Sequence, residues 1–146
     1  MAARAQHVSE RIRPALEAGQ VVVCDRFTDA TLAYQGGGRA VPRDLLARLN
    51  EAATGGLRPD RTYLLDVDVA TGFARAGERT GQTRDRIEGE GAGFFESVRR
   101  RYLELAAEDP ERIVLLRGTD SREDLSRQIR EDALALLRSR DIHPSR

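Results

Sequence analysis

Val21-Val22-Val23-Cys24-Asp25-Arg26-Phe27-Thr28-Asp29-Ala30-Thr31-Leu32-Ala33-Tyr34-Gln35-Gly36-Gly37-Gly38-Arg39 is the stretch on which the reading of the fold turns. Residues 21–24 form a continuous apolar run, as expected of a parallel strand buried on both faces. The run ends in Asp25 and Arg26, and in open α/β sheets ligands bind beyond the carboxyl ends of the strands. Asp25 and Arg26 are therefore expected at the rim of a site. The planar fork of Arg26 suits a phosphate. Thr31, Tyr34 and Gln35 offer hydrogen bonds or stacking to something flat and polar. The three glycines, Gly36 to Gly38, stop a short helix over 28–34 and allow a ligand to come close.

Outward from this stretch, helix and strand alternate. Residues 2–18 carry an apolar stripe (Ala5, Val8, Ile12, Ala15, Leu16) with Pro14 expected to kink it. Residues 42–53 read as a helix with Pro42 at its start and Leu45, Leu46 and Leu49 inward. Strands are expected at 62–66 and 113–116. Helices are expected at 69–76, at 94–108 with Phe95, Val98, Tyr102 and Leu105 on one face, and at 120–138. The last opens on Asp120 and Glu123 as a capping box and buries Leu125, Ile129, Ala133, Leu136 and Leu137. Between the helices at 69–76 and 94–108 lies 77–93, rich in glycine and charge; long loops of this kind are commonly lids. Strands alternating with helices predict a parallel sheet with helices on its faces. Cys24, Tyr63 and Tyr102 are expected in the core.

All 24 basic residues are arginine, and the sequence holds no G-x-x-x-x-G-K-[ST] loop, so phosphate chemistry in this chain works without a P-loop lysine. The net charge of zero makes no electrostatic case for nucleic acid or an anionic membrane. No apolar run approaches the ~18 residues of a membrane span. A single cysteine forbids an internal disulfide and suits the cytosol. His7 and His143 have no ligand-spaced partners and are read as surface residues, so no metal-ligating histidine is expected.

The sequence resembles the thymidylate kinase family. Asp25-Arg26-Phe27, Tyr34-Gln35 and the glycines with Arg39 match the family pattern D-R-[YFH]-x-x-S-x-x-A-Y-Q followed by G-G-G-R, with Ala30 where serine is usual. Two further blocks match in order: Arg58 to Val67, similar to the family's next core strand, and Arg84 to Glu88 with Phe94, Phe95 and the stretch Arg101 to Ala106, similar to a bacterial lid and the helix after it. The resemblance implies a P-loop kinase-like three-layer α/β/α fold with a parallel sheet. The family's first strand and P-loop are missing from it, and Met1 falls inside a helix. The chain is then a single domain, 1–146, with a lid at about 77–93.

The implied activity is ATP-dependent phosphorylation of dTMP to dTDP, with Mg2+, in the cytoplasm. The chain alone is expected to be inactive for lack of the P-loop, and the full-length protein to be a homodimer. Arg4 and Arg26 would hold the acceptor phosphate. Thr31, Tyr34, Gln35 and Gly36 would contact the nucleoside. Asp25 would orient Arg26 or a magnesium-bound water. Arg79 and Arg84 would reach the transferring phosphoryl from the lid, with Arg75 and Arg86 as further lid residues. The alternatives are another nucleoside monophosphate or small-metabolite kinase, and an inactive truncated fragment.

Overall fold

A computed structural model describes residues 2–37, 41–80 and 90–140, without the side chains of 78–80 and 90. Its centre is a two-stranded parallel sheet. Strand β1 (Thr62–Asp66) pairs with β2 (Ile113–Arg117) in the register Thr62 to Ile113 through Asp66 to Arg117. Side chains alternate across a strand, so Thr62, Leu64 and Asp66 face one way and Tyr63 and Leu65 the other. Helix α6 (Glu90–Glu108) covers the first face, where Leu64 packs against a core of Ala33, Val98, Leu105, Ala106 and Ile113. Helix α7 (Arg122–Ser139) lies toward the other, where Asp132 accepts a 2.7 Å hydrogen bond from the Tyr63 hydroxyl and pairs with Arg61 at 2.9 Å. Burial and this hydrogen bond push the Tyr63 pKa up to about 12. The result is the expected α/β arrangement, with the strands at 62–66 and 113–117 where the apolar runs place them.

The expected strand at 21–24 is not one. The segment is extended but pairs with nothing among the described residues, Val21 is 55% and Val23 93% exposed, and Cys24 is exposed rather than in the core. An apolar run encodes the tendency to be buried in a sheet, whereas a strand exists only where a neighbouring ladder satisfies its backbone.

The first helix is expected to kink at Pro14. Instead it runs as α1 (Ala2–His7), a π turn (Val8–Ile12) and α2 (Arg13–Glu17), with the Arg13 amide donating to the Val8 carbonyl five residues back. The wider turn absorbs the break in the hydrogen-bond ladder that proline imposes. Val8 and Ile12 are buried by it.

A second π turn (Leu32–Gly37) extends α3 (Thr28–Thr31) beyond the expected stop and lies against α6. Gly37 makes that approach possible, because a Cβ there would sit 2.7 Å from the Ser97 carbonyl oxygen of α6. Helix α4 (Arg43–Thr54) turns Leu46, Asn50 and Thr54 inward at four-residue spacing, while Leu45 and Leu49, expected inside, are 49% and 41% exposed. Gly55, at φ 58°, ends it in a left-handed cap.

Helix α5 (Val69–Thr80) is longer than the expected 69–76. The cap of α7 is Ser121, whose Oγ accepts from the Asp124 amide at 3.0 Å, displacing the Asp120–Glu123 box by one residue. The α7 stripe of Leu125, Ile129, Ala133, Leu136 and Leu137 is half-buried rather than buried.

Candidate functional site

Two cationic clusters form at the ends of the segment from Arg26 to Tyr34. In the first, Arg4 of α1 is half-buried and donates from Nη1 to Thr31 Oγ1 and, at 3.0 Å, to Asn50 Oδ1. Its Nη2 donates to the Phe27 carbonyl at 2.9 Å, and the guanidinium lies 5.5 Å from the centre of the Phe27 ring. Every one of these partners is neutral, and among the described residues no carboxylate meets the Arg4 charge. Burial accordingly lowers the Arg4 pKa, with Cys24 pulling the other way.

In the second cluster, the Arg26 guanidinium lies over the Tyr34 ring at 4.3 Å, a cation–π contact. Tyr34 in turn meets Phe94 and Tyr102 of α6 edge-on, at 6.1 and 6.3 Å between ring centres. Burial and the neighbouring Tyr34 raise the Tyr102 pKa, against the pull of the Arg26 cation beside it. Arg26 itself has φ 63°, a left-handed backbone that non-glycine residues seldom adopt. Strained residues of this kind cluster at binding and catalytic sites.

Beneath both clusters lies a buried ion pair. Arg112, just before β2, donates to both oxygens of Asp29 at 2.8 and 3.0 Å, to Thr62 at 3.1 Å and to Asp109 at 2.7 Å. The side chains of Arg112 and Asp29 are 14% and 10% exposed, and the pair ties α3 to the start of the sheet. At the carboxyl end of β1, Arg99 of α6 grips Asp66 with two bonds of 2.7 and 2.9 Å.

The structure thus brings Arg4 and Thr31 into one cluster and Arg26 and Tyr34 into another. Asp25 is exposed and bonds to neither arginine among the described residues. Gln35 accepts the Val41 amide on its backbone carbonyl at 3.1 Å. Gly36 borders a groove of about 270 Å³ between the second π turn, α4 and α6, lined also by Leu32, Leu46, Arg101 and Glu104. Arg75 donates to the Gly118 carbonyl at 2.7 Å, which ties α5 to the end of β2. Arg84, Arg86 and the Arg79 side chain lie outside the described residues.

Sequence reasoning overlooked Asn50, Asp29, Phe94 and the part Tyr102 plays beside Arg26. Asn50 had a visible signal: it is a polar residue on an inward stripe four positions from Leu46.

The thymidylate kinase family profile matches residues 1–129. The chain belongs to the thymidylate kinase family. A thymidylate kinase of Desulfovibrio desulfuricans is 52% identical over 145 residues, 96% of this chain and 67% of that protein. One of Pseudomonas putida is 53% identical over 133 residues, 91% of this chain and 61% of that protein. Among solved structures, the thymidylate kinase of Ehrlichia chaffeensis superposes with a TM-score of 0.60 at 29% identity, over 79% of this chain and 53% of that one. The chain therefore spans roughly three-fifths to two-thirds of the length of the curated thymidylate kinases it matches. No helix among the described residues is long and apolar enough to cross a membrane.

Proposed function

We propose that this chain forms the acceptor-nucleotide part of a dTMP kinase, which transfers the γ-phosphoryl of ATP to dTMP and releases dTDP and ADP. The observation that carries this reading is Arg4, a half-buried cation clamped by neutral acceptors only. A desolvated charge is costly unless something pairs with it, and a monophosphate dianion is the group that would. Arg26, aimed by its left-handed backbone and rested on Tyr34, supplies the second fork. Charge-assisted bonds of this kind are roughly twice as strong as neutral ones. Thr31, Tyr34, Gln35 and Gly36 line the nucleoside side.

Phosphoryl transfer needs positioning and fixed positive charge more than covalent help. Mg2+ neutralises charge on the transferring phosphates when bound. Such ions are held by one or two carboxylates together with substrate oxygens, and Asp25, exposed and unpaired among the described residues, fits that requirement. Arg79 and Arg84 are assigned to the transferring phosphoryl, with Arg75 and Arg86 supporting a lid at about 77–93 of a single domain. The enzyme is assigned to the cytoplasm and to a homodimer.

Phosphoryl transfer from ATP to dTMP, followed by ADP release, tests the activity, and calorimetric titration with dTMP tests the acceptor site separately. Arg79→Ala or Arg84→Ala should lower kcat by orders of magnitude and move the KM for dTMP far less. Absence of dTMP binding would overturn the acceptor-site reading. Normal kcat in both lid variants would overturn the lid assignment alone.

A further inference from the structure

We infer that Asn50 is the positioning residue that keeps the charge of Arg4 available to the acceptor phosphate. The inference rests on the acceptor-site reading above and concerns a residue of α4, outside the Asp25–Arg39 stretch that carries the family motif.

Asn50 is 5% exposed and lies on the inward stripe of α4 between Leu46 and Thr54. Its amide is used at both ends. Oδ1 accepts from Arg4 Nη1 at 3.0 Å, and Nδ2 donates to the Thr28 carbonyl at 3.3 Å. The donor end fixes the orientation of the acceptor end, since a flipped amide would set Nδ2 against the guanidinium and Oδ1 against a carbonyl. Asn50 therefore holds α1 and α3 together through Arg4 and Thr28. It also fixes the guanidinium at an angle that Thr31 and the Phe27 carbonyl complete.

The chemical point is neutrality. An aspartate has almost the same shape and would make a stronger bond to Arg4, because the acceptor would be charged. It would also cancel the field that an incoming dianion needs, and a bound phosphate would then sit beside a fixed negative charge. A residue that served packing alone gains nothing from being neutral. A residue that positions a cation for an anionic ligand must be neutral. Asn50 is thus bound to Arg4 by geometry and kept from pairing with it by charge.

The test separates the phosphate from the nucleoside. The purified protein is titrated calorimetrically with dTMP and with thymidine, which lacks the phosphate. Asn50→Asp should weaken dTMP at least tenfold and change thymidine less than twofold. Asn50→Ala, which frees one Arg4 donor without adding charge, should weaken dTMP by a smaller factor, again with thymidine little changed. In an Arg4→Gln background, Asn50→Asp should cost no further dTMP affinity, since the two groups act as one unit.

Equal loss of dTMP and thymidine in either Asn50 variant would show general damage to packing and overturn the inference. So would Asn50→Asp protein that binds dTMP within twofold of wild type. Should Asn50→Asp not fold, the Asn50→Ala comparison decides by the same criterion. Wild-type protein that binds neither ligand would overturn the acceptor-site reading, and the inference with it.

Discussion

Arg26 bears two demands at once. Its backbone is left-handed, which costs an L-residue with a Cβ roughly 1–2 kcal/mol, and its guanidinium stacks on Tyr34. The strain is expected to be the cost of presenting the fork at the site. Arg26→Gly should therefore melt no lower than Arg26→Ala, because glycine takes positive φ freely, while both lose dTMP affinity severely. Arg26→Lys should restore it only in part, since a point charge lacks the fork. Thermal melts and calorimetric titration of the three variants check this. Glycine melting well below alanine would show that φ 63° carries no strain. The sequence made Arg26, Thr31 and Tyr34 legible as a group because their spacing keeps them on one short segment. The partners of Arg4 were not legible, since Asn50 comes from a helix 46 positions away and a lone polar residue on an apolar stripe does not announce its partner.

Elements are joined here mainly by arginine. Asp29 and Arg112 connect α3 to the sheet with both side chains nearly buried. Removing one partner of such a pair leaves the other charge uncompensated and costs about 3–5 kcal/mol. Arg112→Met is therefore expected to lose stability in that range by denaturant unfolding. It should also weaken dTMP binding, because Thr31 and Tyr34 ride on the anchored segment. The double variant Asp29→Leu with Arg112→Met should recover much of the stability. A single Arg112→Met within about 0.5 kcal/mol of wild type would show that the pair contributes little.

At this scale the sequence was most readable where a segment carries its own periodicity. The strand at Thr62–Asp66 and helix α6 fall where the pattern puts them. Residues 21–24 carry an equally good strand pattern and form none. A strand is a relation between two segments, and the pattern describes one. The same limit applies to Leu45 and Leu49, which share a helical face with Leu46 by count but not by contact.

The whole molecule is neutral in sum and held by many carboxylate–guanidinium pairs, so its acid limit is set by its carboxylates. Hydrogen bonds from Arg99 hold the Asp66 pKa below its ordinary value of 3.8, against the opposing effect of burial. Asp109 is lowered in the same way by Arg112. A depressed carboxylate pKa stabilises the folded state above its unfolded value, and the stabilisation is lost as pH falls through the folded one. Melting temperature should therefore fall steadily below about pH 4. Asp66→Asn should lower it at neutral pH and flatten that acid decline. An unchanged acid slope in the variant would remove Asp66 from this account.

The parallel register has a consequence for the order in which the molecule assembles. Thr62 pairs with Ile113, 51 positions later in the chain. Closing a loop of that length costs about 3.5 kcal/mol of chain entropy beyond the constant term, and no sheet contact repays it until the loop is closed. The intervening helices can form locally and early, while the sheet has no local nucleus. It is then the last part of the chain to register its completion. Conservative truncations in β1 should hasten unfolding and leave the folding rate almost untouched, whereas truncations within the apolar face of α6 should slow folding.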